Sequence, residues 1–167
     1  MMNQLESIER LLNRISKVLV FLLLAFMSTS VFYAVICRYI FHSAPFWVEE
    51  VSRFMMVYMA FFGAAIAFSK RGHVGLEFVV TRVIPERMRP YVVLFSDILT
   101  LIFFFFVIYH GVRFASRGAG VISPATGISM LTAYCGVPIG CSFCFIQVLI
   151  NSIKDLRKRA VLKGNVG

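Results

Sequence analysis

Charge is scarce in this chain. Only 15% of its 167 residues are Asp, Glu, Lys or Arg, and the acidic ones number 8 against 17 basic. A soluble domain carries about a quarter charged residues, so the composition excludes an ordinary water-soluble fold. Proline is sparse at 5, and there are 4 Cys, 3 His and a single Trp. A Walker phosphate loop, a nucleophile elbow and a His/Glu metal cluster are all missing, which removes the usual signatures of nucleotide-dependent and hydrolytic enzymes. There is also no internal repeat. Autonomous carriers usually build their site from two related halves, so a stand-alone carrier is disfavoured.

What the chain has is hydrophobicity. It is 59% apolar, with 18 Phe, and the apolar residues come in blocks of the ~20 residues a helix needs to cross about 30 Å of hydrocarbon. The expected architecture is an all-α membrane protein, one domain over residues 1–167. It has four transmembrane helices and additional amphipathic interfacial helices. The spans are expected over 18–37, 46–68, 91–109 and 128–150, with a basic tail over 151–167. The first block is too long for the apolar part of a signal peptide. Before it, residues 3–17 place Leu5, Ile8, Leu12 and Ile15 on one helical face, with Asn3 and Glu6 at capping-box spacing. This segment either lies in the headgroup plane or continues the first span into the cytoplasm. A second interfacial helix is expected where Leu76, Val79, Val80 and Val83 share a face and Pro85 ends the pattern. The Gly-rich stretch from Arg113 to Gly127 reads as an irregular outer segment.

The basic residues set the orientation. Arg10, Arg14 and Lys17, the loop residues Lys70, Arg71, Arg82, Arg87 and Arg89, and the tail residues Lys154, Arg157, Lys158, Arg159 and Lys163 fall on one side. Only Arg38, Arg53, Arg113 and Arg117 fall on the other. Positive residues stay inside, so both termini and the middle loop are expected in the cytoplasm. Basic residues placed between apolar blocks report topology, and no basic stretch interleaved with aromatics suggests nucleic acid.

The residues that stand out chemically cluster at the start of span two, Phe46-Trp47-Val48-Glu49-Glu50-Val51-Ser52-Arg53. Charges near a bilayer are costly unless paired or hydrated. Glu49 and Arg53 are four apart and Glu50 and Arg53 three apart, so either carboxylate can reach the guanidinium. The positive end of the helix dipole also suits carboxylates there. Trp47 suits the interfacial aromatic belt. This segment either anchors the span or pairs with a second protein. Ala60, Gly63, Ala64 and Ala67 form small-residue pairs that allow a close helix approach, from within the chain or from outside. Asp97 lies about 10 Å into span three and should be protonated or find a partner on another helix. Cys141 and Cys144 share a helix face and read as packing residues. Gly136, Pro138 and Gly140 interrupt span four. His42 and His110, both at the outer side, keep a haem-carrying electron-transfer protein open as an alternative. A small channel or exporter is a second.

The run Arg38-Tyr39-Ile40-Phe41, then Trp47-Val48-Glu49-Glu50-Val51-Ser52-Arg53, Gly63-Ala64 and Lys70-Arg71-Gly72-His73-Val74, resembles the small membrane subunit of TRAP transporters, the DctQ-type or Q subunit. Ser123-Pro124-Ala125 and Val137-Pro138-Ile139-Gly140 add to the resemblance, which covers about residues 5–158. It implies a non-enzymatic scaffold subunit in the bacterial cytoplasmic membrane, part of a sodium-coupled importer of organic acids. Its implied partners are a large elevator-type membrane subunit, a periplasmic substrate-binding protein and membrane lipids. It implies no cofactor, metal or substrate site in this chain, with sodium bound in the large subunit. Glu49, Glu50 and Arg53 are then expected to fix the outer end of span two. Lys70, Arg71 and His73 are expected to anchor its cytoplasmic end, and segments 3–17 and 74–84 to act as interfacial arms.

Overall fold

The computed structural model describes residues 2–43, 45–69 and 88–164. Four helices are long and apolar enough to cross a membrane. The elements are α1 (Met2–Ile40), α2 (Phe46–Ser69), α3 (Arg89–Arg117), a 3-10 turn (Gly118–Gly120), α4 (Met130–Tyr134) and α5 (Gly136–Gly164). The expected interfacial helix around 76–83, with Lys70, Arg71 and His73, lies outside the described residues.

The N-terminal segment is not a separate helix in the headgroup plane. Residues 3–17 and the first span form one helix of 39 residues, and Asn3 lies inside it rather than capping it. The cause is local: no Pro or Gly stands anywhere between Met2 and Ile40, so nothing breaks the backbone ladder where the apolar block begins. At 1.5 Å per residue α1 is about 58 Å long, nearly twice the hydrocarbon thickness. The amphipathic first turns and the apolar block are therefore one continuous helix. α1 ends where His42 adopts a left-handed conformation (φ 53°) and the Ser43 N–H turns back to the Cys37 carbonyl at 3.3 Å.

Two other boundaries move for a similar reason. α3 runs past Tyr109 to Arg117, because an apolar block marks the membrane and not the end of a helix. The fourth span is split into α4 and α5 at Cys135. Pro138 has no N–H to give the Tyr134 carbonyl, so the ladder is interrupted one turn before it. The outer segment is also more ordered than expected. Ile122 and Ser129 form an antiparallel bridge, the Ser123 N–H donates to the Ile128 carbonyl at 2.9 Å, and Gly127 supplies the positive φ (69°) that closes the turn.

The helices lie side by side in the order α1, α2, α5, α3, and α1 meets α5 only lightly. The α4–α5 segment is the hub, with half of its most apolar stretch buried inside the chain against 6% for α1. Ala65 of α2, Phe104 of α3 and Cys141, Cys144 and Val148 of α5 form the buried cluster. Lipid tails are as apolar as these side chains, so association rests on close packing and hydrogen bonds rather than on hydrophobic burial. Gly136, Gly140 and Cys144, four residues apart, give α5 a smooth face against α2. A Cβ at Gly136 would stand 2.8 Å from the Tyr58 ring, and one at Gly140 would collide with Phe61 Cβ. The Cys144 thiol reaches the Phe61 carbonyl at 3.6 Å. The C-x-x-C is thus part of a helix contact.

Candidate functional site

The two neighbouring carboxylates at the head of α2 do different work. Glu49 takes the Arg53 guanidinium at 2.5 Å, and both side chains are about three-quarters exposed. Glu50, one residue round the helix, faces the chain's own outer turn. Its Oε2 accepts from the Ser123 hydroxyl and, at 3.5 Å, from the Thr126 hydroxyl. The Thr126 N–H donates to Ser123 Oγ at 3.2 Å, and its one hydroxyl proton, 2.9 Å from the same oxygen, is shared between Ser123 Oγ and the Glu50 carboxylate. Ser123 is only 2% exposed, so its hydroxyl depends on this carboxylate for its acceptor. The sequence marks Ser123 only through the Ser123-Pro124-Ala125 run and gives Thr126 no role; their i, i+3 spacing around Pro124 is the signal for a hydroxyl-lined turn.

Further bonds join the rest of this end of the bundle. The Tyr58 hydroxyl donates to the Thr132 carbonyl at 2.5 Å. Ser129 caps α4 by accepting from the Leu131 N–H at 3.3 Å, and its hydroxyl is within 3.4 Å of the Gly118 carbonyl. Tyr134 packs on Phe114, ring centroids 4.6 Å apart, where a Cβ at Gly118 would stand 2.6 Å from the Tyr134 ring. Trp47 is partly exposed at the second position of α2, and Arg38 lies exposed in the last turn of α1, where a cation complements the helix dipole.

At the opposite end, Glu9 of α1 pairs with Lys154 of α5, both side chains about four-fifths buried. Asn151 donates to the Phe68 carbonyl at 2.7 Å. These bonds join α1, α2 and α5 where the apolar blocks give way to charge. Asp97 is 7% exposed on α3. Gln147 is fully buried on α5 with neither side-chain polar atom hydrogen-bonded.

Among the described residues none comes into close contact with Gly63. A Cβ there would meet no atom within 4 Å, and Ala60 and Ala67 beside it are exposed. Glu49, Arg53, Met56, Ala60, Gly63 and Ala67 recur at spacings of four and three, a single outward stripe of α2 with its ion pair at one end and small residues at the other. We expect Gly63→Ala to leave the thermal stability of the isolated chain unchanged or slightly raised, since alanine is favoured by about 1 kcal/mol in a helix and nothing obstructs it. A loss of several degrees in a melting experiment contradicts this.

His42 sits in the turn after α1. His110 stacks on Phe106 of α3 (centroids 6.2 Å apart) and meets Tyr109 edge-on (5.2 Å).

Comparison with known proteins agrees with this geometry. Residues 27–158 match the family profile described as tripartite ATP-independent periplasmic transporters, DctQ component. A putative TRAP transporter small permease protein of Haemophilus influenzae is 30% identical over 151 residues, 90% of this chain and 91% of that protein. The sialic acid TRAP transporter small permease protein SiaQ of Vibrio cholerae is 26% identical over 146 residues, 87% of this chain and 84% of its own length. The sialic acid TRAP transporter permease protein SiaT of Haemophilus influenzae is 29% identical over 105 residues, which are 63% of this chain but 17% of that longer protein.

Proposed function

The chain belongs to the DctQ component family of tripartite ATP-independent periplasmic transporters, as a non-enzymatic small permease subunit, and from that premise we propose that it is the fixed scaffold of a sodium-coupled importer of an organic acid. In this reading it packs beside a large transport subunit that carries the substrate and sodium sites, and it helps dock a periplasmic binding protein. The cargo is a carboxylate, the class to which the sialic acid named for two relatives belongs. The chain sits in the bacterial cytoplasmic membrane with both termini inside, an orientation supported by the crowding of Lys and Arg on the terminal side.

The observation that carries the reading is the open stripe of α2. A helix that crosses lipid and offers Ala60, Gly63 and Ala67 outward, with no chain atom near a Gly63 Cβ, is shaped for a second helix at close range. The SiaT match supports a larger partner, because there the matched segment is a small part of one long permease. The outer turn held by Glu50 presents a fixed surface toward the binding protein.

The test is co-expression with the neighbouring large subunit. Gly63→Leu is expected to reduce co-purification of the large subunit about tenfold, the effect of roughly 1.4 kcal/mol of overpacking, while the chain itself melts as before. Liposomes containing this chain alone are expected to show no sodium-driven uptake. Uptake by the single chain, or full co-purification of Gly63→Leu, overturns the proposal.

A further inference from the structure

α1 is an edge helix, and one of its outward faces carries charge that no described residue answers. Arg10, Arg14 and Lys17, spaced four and three apart, line an open hollow of about 570 Å³ whose remaining walls include Leu11 and Val18. Arg10 is shared with Glu6, at 3.9 Å. Arg14 and Lys17 have no acidic partner among the described residues. The hollow straddles the point where polar sequence gives way to the uncharged stretch that begins at Val18.

A second, apolar hollow of about 540 Å³ lies further along the same helix, with Leu22, Ala25 and Thr29 in its lining. The two are joined. Leu11, Val18, Leu22, Ala25 and Thr29 recur at spacings of seven, four, three and four, one continuous strip of the helix. From Val18 to Thr29 the strip rises about 16 Å, half of the ~30 Å hydrocarbon thickness and so the depth of one leaflet.

We propose that this face of α1 binds an anionic phospholipid, its headgroup phosphate held by Arg14 and Lys17 with Arg10 beside them, and one acyl chain lying along the Leu11–Thr29 strip. Charge complementarity selects the occupant: unanswered cations at the hydrocarbon boundary match an anionic headgroup at the same depth. The surface also disfavours a protein helix. Close helix approach in lipid uses small residues, whereas Leu11, Val18 and Leu22 are each more than half exposed here. The inference rests on the membrane-spanning fold and not on the identity of the transported acid.

The experiment uses the full chain purified in detergent, with retained lipid counted by native mass spectrometry. Phosphatidylglycerol is expected to be retained in preference to phosphatidylcholine. Arg14→Gln with Lys17→Gln is expected to weaken phosphatidylglycerol retention about 30-fold, the effect of two charges near an anionic headgroup. The exchanged pair Arg14→Lys with Lys17→Arg keeps it. Melting curves in phosphatidylcholine should coincide for all three proteins, which shows that the variants fold. Equal retention of the two lipids overturns the proposal, as does undiminished retention by the double Gln variant. Binding of inorganic phosphate as strong as that of the lipid marks a free-anion site and overturns it too. Loss of the lipid when the large subunit is present identifies a protein as the occupant and has the same consequence. Resistance of the chain to carbonate extraction, measured alongside, separates a failure of this site from a failure of the membrane reading.

Discussion

Replacing Gly140 by alanine is expected to lower the melting temperature by about 4–8 °C, and Gly140→Leu to prevent α5 from seating on α2 at all. The Cβ added at Gly140 falls on Phe61 Cβ, with Phe61 Cα at 3.4 Å. Those atoms are fixed to the backbone of α2, so no rotamer change relieves the overlap and the two helices must separate. Overpacking costs 1–3 kcal/mol, and a Cβ falling on backbone-fixed atoms of α2 belongs at the upper end, about 3 kcal/mol. Alanine returns up to about 1 kcal/mol of helix propensity, which leaves a net loss of about 2 kcal/mol, or 2–4 °C per kcal/mol at this chain length. The position matters more than the size of the clash. The helices stand in the order α1, α2, α5, α3, so α2–α5 is the main contact that holds the α1 side to the α3 side. Gly120→Ala is the control, because a Cβ there meets nothing within 4 Å. Thermal unfolding in detergent, followed by circular dichroism, reads all three. A Gly140→Ala chain as stable as Gly120→Ala would show that the helices do not pack at this distance.

Much of this architecture is legible in the residues. Four apolar blocks, the charge that separates them and the Pro residues at 45, 90 and 138 locate four helices without reference to anything else. The errors have one source: hydropathy reports where lipid is, and helices obey backbone chemistry. The helix without Pro or Gly runs on through Lys17, and α3 runs past Tyr109 to Arg117 with Gly111 inside it, because the end of an apolar block does not break the backbone ladder. The candidate site was legible only in part. The spacing of Glu49, Glu50 and Arg53 showed that one carboxylate would answer the arginine, but not which, because both lie within a turn of it. The choice depends on Ser123 and Thr126, more than 70 residues away in sequence. In the same way Gly63 and Gly140 are both helix glycines with small neighbours. That α5 closes on α2 at Gly140 while Gly63 is left open follows from how the helices are rotated, which no local pattern encodes.

Glu50→Ala is expected to cost about 2–3 kcal/mol and to loosen the outer turn, whereas Glu49→Ala one residue away is expected to cost less than 1 kcal/mol. The Glu49–Arg53 pair is exposed on both sides, and such pairs contribute 0–1 kcal/mol because water competes for each partner. Removing Glu50 instead strands the hydroxyl of Ser123, 2% exposed, and takes an acceptor from Thr126. A buried donor left without its acceptor costs 1–3 kcal/mol, and bonds to a charged group lie at the upper end of that range. Glu50→Gln keeps a carbonyl oxygen in place of the carboxylate and should fall between the two. The damage is expected to be local: backbone amides of residues 121–130 lose hydrogen-exchange protection while those of α5 keep theirs. If the outer turn forms the fixed docking surface for the binding protein, Glu50→Ala will weaken transport by the whole complex more than it weakens association of the two membrane subunits, since the α2 stripe proposed to meet the large subunit is untouched. Equal melting temperatures for Glu49→Ala and Glu50→Ala, with unchanged exchange in the outer turn, would mean that the Glu50 carboxylate does not hold it.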